Sequence, residues 1–134
     1  MNVQQASSAI LIRNGRLLLV KRKNPPAANM YAFPGGRANP GENPAETAIR
    51  EVFEETGIVV ANPVEFMTFD LRHGPDGPHF FLTVFLVGSE DPHDGEAADD
   101  AAEIGWFLPG EVDALPAPES VRTCLNALLA GGHI

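Results

Sequence analysis

The sequence predicts one α/β domain in which β-strands lie before and after a central α-helix. Three observations lead to this prediction. The chain of 134 residues suits one domain with one sizeable core. Its N-terminal part has two apolar runs separated by Asn14-Gly15, the favoured two-residue hairpin turn. A well-marked helix from Pro44 to Thr56 follows, and further strand-like runs come after it.

The elements before the helix are predicted from turn chemistry. We expect strands at Ser7–Ile12 and Arg16–Val20, because each is an apolar run that borders the Asn-Gly turn. The segment 23–29 contains consecutive prolines, which cannot donate hydrogen bonds to a sheet, so we expect a loop there. A short strand at Met30–Phe33 then ends at a Pro-Gly-Gly sequence.

Both ends of the central helix carry terminal signals. Asn43 is a favourable N-cap, Pro44 suits the first helical position, and Glu46 stands where a capping box places an acid. Gly57 is placed for a left-handed C-cap, which predicts that the helix ends at Thr56.

The rest of the chain is predicted from apolar runs and periodicity. The acidic segment that begins at Glu90 should be a surface loop. We expect four further strands and a last helix with one apolar stripe: Ile58–Val60, Val64–Leu71, Phe80–Val87, a short strand at Gly105–Leu108, and the helix Glu119–Ala130.

Charge and composition limit the classes of function. The net charge is −9, and seven of the nine Lys and Arg residues lie at or before Arg50. A nucleic-acid backbone needs basic density that this chain lacks, so we expect no nucleic-acid polymer as a partner. No apolar run approaches the roughly 20 residues of a membrane span, and no signal-peptide pattern is present. We therefore expect a cytoplasmic protein without a membrane partner.

Glu42, Glu51, Glu54 and Glu55 lie within fourteen residues, in which Arg50 is the one basic residue. Like charges one helical turn apart destabilise an isolated helix by about 0.2–0.5 kcal/mol per pair. A cation that binds the carboxylates would offset this cost. Oxygen-only ligands suit Mg²⁺ or Mn²⁺ rather than zinc.

A helical wheel separates the two faces of this helix. Glu51, Glu54 and Glu55 cluster on a face that we expect to point outward, with Arg50 at its border and within reach of Glu42. The opposite, apolar face should dock on the sheet, and it comprises Ala45, Ala48, Ile49, Val52 and Phe53. A solvated acidic face is the alternative to a metal site.

The spacing of these residues matches the complete signature box of a known family. The fixed positions are Gly36, Glu42, Arg50, Glu51, Glu54, Glu55 and Gly57. The chain therefore resembles the Nudix (MutT-like) hydrolases. The lead-in Tyr31–Gly36, the strand with Trp106 and the C-terminal helix extend the resemblance over nearly the whole chain.

The resemblance implies an α/β/α sandwich with a mixed β-sheet, in which the box forms a loop-helix-loop. It also implies hydrolysis of a nucleoside diphosphate linked to another group X, with Mg²⁺ or Mn²⁺ as cofactor. Glu54, Glu55 and the Gly36 carbonyl would be metal ligands. Glu51 would be a further ligand or the base that orients the attacking water.

The resemblance assigns supporting roles to other residues of the box. Arg50 would orient the glutamates, Glu42 would brace the loop, and Gly57 would end the helix. Many relatives add an acid from a late loop as a further metal ligand. Here we expect Asp100 in that role, with its loop neighbours Asp99 and Glu96 as alternatives.

The sequence also offers several candidates for contact with the substrate. Arg37 follows the glycine pair, and Arg22 and Lys23 close the second strand, so all three are candidates for phosphate contact. Phe80 and Phe81 alternate across one strand, so only one of them can face a nucleobase.

The loop sequence Lys23-Asn24-Pro25-Pro26 and the pair Asp99-Asp100 resemble those of a bacterial ADP-ribose pyrophosphatase subgroup. That resemblance implies cleavage of ADP-ribose to AMP and ribose 5-phosphate. We expect a monomer or a homodimer. An oxidised nucleoside triphosphate is the alternative substrate, and Asn39, where many relatives have Glu, bears on this choice. A Nudix module that senses a nucleotide without cleaving it is a third reading, but the intact box favours an enzyme.

Overall fold

The computed structural model describes residues 3–25 and 27–134. Its elements, in chain order, are β1 (Gln4–Arg13), β2 (Arg16–Arg22), β3 (Tyr31–Ala32), β4 (Gly35–Arg37), α1 (Pro44–Thr56), β5 (Ala61–Arg72), β6 (His79–Gly88), β7 (Ala101–Phe107), α2 (Pro109–Val112) and α3 (Glu119–Ala130). Among these described helices, none is long and apolar enough to cross a membrane.

The strands form one mixed sheet around β1. The order is β3-β2-β1-β6-β5, and β4 and β7 pair with β1 and β2. β1 runs parallel to β6 and antiparallel to β2 and β4. The pairing of β4 with the first half of β1, Ser7 opposite Gly36, brings the glycine pair to the middle of the sheet.

The turn between β1 and β2 has the chemistry that the sequence predicts. Asn14 and Gly15 both have positive φ, 53° and 75°. Two successive left-handed residues are what a type I′ turn requires, and its twist matches that of the flanking strands. The hairpin then continues as the antiparallel pair of β1 and β2, with Ile12 opposite Leu17.

The central helix begins and ends as predicted. The Asn43 side chain accepts a hydrogen bond from the Glu46 N–H at 2.8 Å, and Glu46 accepts one from the Asn43 N–H at 3.0 Å. These two bonds complete a capping box. Gly57 has φ 77° and donates to the Phe53 carbonyl at 2.8 Å, which closes the helix with a left-handed cap.

The sheet carries a helix on each face, which confirms the predicted α/β/α sandwich. Alternate β2 residues point to opposite sides, as the period of a strand requires. Leu17 and Leu19 pack with Leu125 and Leu128 of α3. Leu18 packs with Ala48 and Val52 of α1 in a second cluster.

Some strand predictions are wrong in their bounds or existence. Ile58–Val60 is not a strand, although Ile58 and Val60 are buried against α1. β7 begins at Ala101 rather than near Gly105, because residues 101–104 also pair with β2. Neither α2 nor β4 was expected from the sequence. The sequence of β4, Gly-Gly-Arg, has low strand propensity, and β4 is held by its pairing with β1 and by hydrogen bonds with α1.

Candidate active site

Arg50 is the centre of the hydrogen-bond network at the box. Its guanidinium donates to both carboxylate oxygens of Glu42, at 2.7 and 2.9 Å. It also donates to Glu51 at 2.6 Å, to Glu54 at 2.8 Å and to the backbone carbonyl of Arg37 at 2.9 Å. One side chain of α1 therefore holds the preceding loop, the end of β4 and two glutamates of the helix.

Glu42 is fixed from several directions. Besides Arg50, it accepts hydrogen bonds from the Asn39 N–H at 3.0 Å and from the Thr47 hydroxyl at 2.7 Å. The hydrogen bonds from Arg50 are the largest cause that lowers the pKa of Glu42 to about 2. A carboxylate with this many donors stays ionised and braces the loop between β4 and α1.

The three helical glutamates do not share one exposed face, which corrects the wheel prediction. The Glu55 side chain is buried, with 2% exposure of the residue, and accepts a long hydrogen bond from the Gly35 N–H at 3.4 Å. Glu51 is nearly buried, whereas the Glu54 side chain is 41% exposed. Phe53, expected to dock on the sheet, is instead 55% exposed. The helix face that carries Glu51 and Glu55 is covered because β4 lies beside these two residues.

Burial changes the acidity of two of these carboxylates. It raises the pKa of Glu51 above its ordinary value. It also raises the pKa of Glu55, and the neighbouring Glu51 carboxylate raises it further. Two carboxylates this close cannot both stay ionised at low cost without a positive charge between or beside them.

The glycine pair allows this close approach. A β-carbon on Gly36 would lie 2.1 Å from Oε2 of Glu51, and one on Gly35 would lie 2.4 Å from the Ser7 carbonyl oxygen. Any larger residue at Gly36 would therefore displace the Glu51 carboxylate. The absence of a side chain brings the backbone of β4 against the carboxylates of α1.

The donor set fits a hard divalent cation. Glu51, Glu55 and the backbone at Gly36 offer only oxygen ligands beside the centre of the sheet, and added positive charge would relieve the Glu51–Glu55 repulsion. Among the described residues, no three His, Cys, Asp or Glu side chains are arranged to hold an ion as they stand. Glu54 pairs with Arg50, so it would have to rotate away to complete the set.

A cleft of about 840 Å³ opens beside the box. Its polar wall includes Glu51, Arg37 and Arg22, together with Asp99 and Asp100 from the loop before β7. Glu51 is the one box glutamate among the described residues that line it. The cleft thus brings six predicted site residues to one space: Arg22, Gly36, Arg37, Arg50, Glu51 and Asp100.

The loop before β7 is tied to α1 and to the end of β2. The N–H groups of Glu96 and Ala98 donate to the carbonyls of Thr56 and Glu55, at 2.9 and 3.0 Å. Asp99 turns the chain with φ 53°. Asp100 then follows at the edge of the cleft. Glu96, one alternative to Asp100, is not among the lining residues.

Asp100 is held by the loop after β2. Its backbone carbonyl accepts from the Lys23 N–H at 3.0 Å, and its carboxylate accepts a hydrogen bond from the Asn24 side chain. The Lys23 side chain does not line the cleft, so the structure gives Lys23 a positioning contact instead. This contact of Asn24 was not expected, because a polar residue in a proline-rich loop carries no signal that distinguishes it as a site residue.

The other end of the cleft is apolar. Leu71, Leu82 and Val121 line it with Phe80, whose ring meets His73 edge-on at a centroid distance of 5.9 Å. Phe80 is therefore the phenylalanine of the pair that faces the cleft, and Phe81 does not line it. An aromatic, apolar wall is the surface on which a nucleobase packs well.

Known proteins share this sequence pattern and fold. The NUDIX domain family matches residues 3–128. A Bacillus subtilis (strain 168) protein named "Putative 8-oxo-dGTP diphosphatase" is 32% identical over 91% of this chain and 77% of its own length. An ADP-ribose pyrophosphatase of Methanocaldococcus jannaschii (strain ATCC 43067 / DSM 2661 / JAL-1 / JCM 10045 / NBRC 100440) is 35% identical over 76% of this chain and 60% of its own length.

The crystal structure of the MutT NUDIX hydrolase from Burkholderia pseudomallei superposes with a TM-score of 0.80 at 27% identity, and covers 94% of this chain and 98% of the other. Sequence match, fold and an assembled box therefore agree. This chain belongs to the Nudix hydrolase family.

Proposed function

We propose that this chain hydrolyses a diphosphate bond in a nucleoside diphosphate linked to a group X, with Mg²⁺ or Mn²⁺ as cofactor. The observation that carries the proposal is the position of Glu51. This carboxylate lines the cleft, is held at 2.6 Å by Arg50, and lies against the backbone of Gly36.

The residues divide the work between binding and proton transfer. Arg37, exposed at the edge of the cleft, neutralises charge on a phosphate. Glu51 accepts the proton of the water that attacks phosphorus, and Arg50 holds its carboxylate in place. The chemistry that a bound divalent ion supplies is neutralisation of the diphosphate and activation of that water. Glu54, Glu55 and the Gly36 carbonyl are the residues that would hold the ion, and Asp100 would add a ligand across the cleft.

ADP-ribose is the substrate that we favour, with AMP and ribose 5-phosphate as products. The adenine would pack on the apolar end of the cleft at Phe80, and the diphosphate would lie near Arg37 and Glu51. The relative from Methanocaldococcus jannaschii carries the corresponding activity in its name. Asp99 and Asp100, on which the subgroup resemblance rests, both line the cleft.

A second candidate is pyrophosphate release from an oxidised nucleoside triphosphate. The specific observation in its favour is the Bacillus subtilis relative, whose match extends over more of this chain and whose name states 8-oxo-dGTP. The box chemistry is the same in both cases, since water attacks one phosphorus of a phosphoanhydride. The two candidate substrates differ only in the leaving group and in the nucleobase that the cleft binds.

The test is product release by the purified chain from ADP-ribose, 8-oxo-dGTP, normal dNTPs, dinucleoside polyphosphates and nucleotide sugars, with each metal in turn. Preference for ADP-ribose, with AMP formed and turnover lost after chelation, is the expected result. Preference for 8-oxo-dGTP, with pyrophosphate released, would replace the substrate and keep the mechanism. Absence of turnover with every compound and both metals would overturn the proposed activity in favour of a nucleotide-sensing module.

A further inference from the structure

The acidic segment between β6 and β7 is attached to the rest of the molecule at three places. We call its residues 91–98 the strap, and they form neither helix nor strand. Six acids lie within the eleven residues 90–100. Like charges this close together repel one another, so the segment keeps one path only if other groups hold it.

Arg13, at the end of β1, makes the first attachment. Its guanidinium donates to the carbonyls of Asp91 and His93, at 2.7 and 2.9 Å, and to the Asp94 carboxylate at 3.3 Å. The same group lies over the ring of Trp106, 5.0 Å from its centroid. The indole N–H of Trp106 donates in turn to the Asp94 carbonyl at 2.8 Å. Charged donors and a cation–π contact are strong interactions, so Arg13 holds the first half of the strap firmly.

The second attachment lies just after α1. The Asp91 carboxylate accepts a hydrogen bond from the Val59 N–H at 3.0 Å. Gly95 then packs closely against the core with φ 94°, and a β-carbon there would lie 2.6 Å from Ile104 and 3.1 Å from Ile58. The strap is therefore pressed against buried residues as well as bonded to them.

The third attachment is the last turn of α1, where helix carbonyls lack partners within the helix. The strap supplies them, since Ala98 donates to the carbonyl of Glu55 at 3.0 Å and Glu96 donates to that of Thr56. Asp100 comes two residues after Ala98, and buried Ala101 donates back to the Ala98 carbonyl at 3.0 Å. The end of the strap thus sets where the Asp100 backbone enters the cleft.

We propose that Arg13 is a positioning residue that acts through the strap on Asp100, and so controls the affinity of the cleft for a divalent cation. Arg13 is not one of the described residues that line the cleft. The inference rests on the proposed function, in which Asp100 adds a ligand to the ion.

The experiment is a double-mutant cycle with Arg13→Ala, Asp100→Asn and the double variant. Arg16→Ala is the matched control, because Arg16 lies across the same hairpin turn and pairs with Glu111 of α2 at 3.3 Å. Thermal melting checks that each variant folds. Arg13→Lys replaces Arg13→Ala if the latter does not fold, since lysine keeps the charge but lacks the planar fork of donors.

Two readouts are taken on each variant, and neither needs turnover. Calorimetric titration with Mn²⁺ alone measures the affinity for the ion. Amide hydrogen exchange detected by NMR measures whether the backbone around Asp100 is loosened. The amides to follow are Ala98 and Lys23, because the Lys23 N–H donates to the Asp100 carbonyl.

We expect Arg13→Ala to bind Mn²⁺ about threefold to tenfold more weakly, as for other substitutions that act on a site without touching its ligand. In the Asp100→Asn background the same change should weaken binding by less than about twofold, because the group through which Arg13 acts is already lost. Exchange at Ala98 and Lys23 should be faster in Arg13→Ala than in Arg16→Ala or the unmodified chain.

Equal weakening of Mn²⁺ binding in both backgrounds would mean that Arg13 does not act through Asp100, and would overturn the inference. Unchanged binding would do the same, as would faster exchange confined to residues 91–95. Absence of Mn²⁺ binding by the unmodified chain would instead count against the proposed function. The exchange rates would then still decide whether Arg13 controls the position of Asp100.

Discussion

At Glu54, the contribution to metal binding can be separated from the contribution to folding stability. Its side chain faces solvent more than those of Glu51 and Glu55 and pairs with Arg50 at 2.8 Å, so its removal leaves no buried charge unpaired. Glu51 and Glu55, by contrast, are packed against β4, and changing them alters the local structure together with the chemistry.

We expect Glu54→Gln to lose turnover by more than the roughly 10–100-fold that loss of a supporting partner costs a metal site. Its free energy of unfolding should change by no more than about 0.5 kcal/mol, as for other surface substitutions. Steady-state rates with Mg²⁺ and urea unfolding measure the two effects. Glu65→Gln, an exposed acid on β5, is the control and should change neither. A Glu54→Gln enzyme with near-normal rates would exclude this carboxylate as a metal ligand.

Glu42 gives stability a defined dependence on pH. Its pKa in the fold is about 2, below the ordinary value of 4.5, so the unfolded chain binds its proton more readily. The stabilisation is therefore complete above pH 4.5 and is lost as the pH falls through that value toward 2. We expect Glu42→Gln to lower the free energy of unfolding by about 1–3 kcal/mol at pH 7. Urea unfolding at pH 7 and at pH 3 should show the difference from the unmodified chain shrinking at the lower pH, and a constant difference would contradict the assignment.

At the scale of elements, β4 decides how the box is arranged. Its three residues carry no strand signal, yet they lie between β1 and the acidic side of α1. The sequence was sufficient to predict where α1 begins and ends and how both of its ends are capped, since these features depend on local residues. The burial of Glu55 could not be predicted, because it depends on a strand that is held by contacts between distant parts of the chain, namely pairing with β1 and hydrogen bonds with α1.

The two glycines of β4 should respond differently to alanine. In Gly36→Ala the new methyl group meets the end of the Glu51 side chain, which can move aside, so we expect folding to survive while turnover falls strongly. In Gly35→Ala it meets the backbone of Ser7 and Ser8, which cannot move freely, so we expect a loss of about 2 kcal/mol or more in stability. Thermal melting and initial rates on both variants test the contrast. Equal effects on stability would mean that β4 does not pack as described.

At the scale of the whole molecule, the cleft exists because the sheet is covered on both faces. α1 supplies Glu51 and Arg50 to one side, and Val121 of α3 closes the apolar end. The sequence predicted both helices, and the family resemblance supplied the sandwich. The start of β7 and the course of 58–60 were not predictable, because burial and strand pairing there depend on distant partners rather than on local pattern.

Stability of the sandwich should therefore depend on α3 in a face-specific way. Leu128 is fully buried against the sheet, whereas its neighbour Leu129 is 47% exposed. We expect Leu128→Ala to cost about 2–5 kcal/mol, and Leu129→Ala less than about 1 kcal/mol. Chemical unfolding measures both values. Comparable costs would place the wrong face of α3 on the sheet.

The Arg50 guanidinium carries a last consequence. All five N–H groups of the guanidinium donate hydrogen bonds. The acceptors are two oxygens of Glu42, the carboxylates of Glu51 and Glu54, and the Arg37 carbonyl. The side chain is saturated, so no spare donor remains to absorb a change among its neighbours. Lysine has three N–H groups on a flexible stem and would strand at least two acceptors. A single substitution of Arg50 therefore leaves some of these acceptors without a donor. The arginine can be replaced only if the surrounding acids change as well.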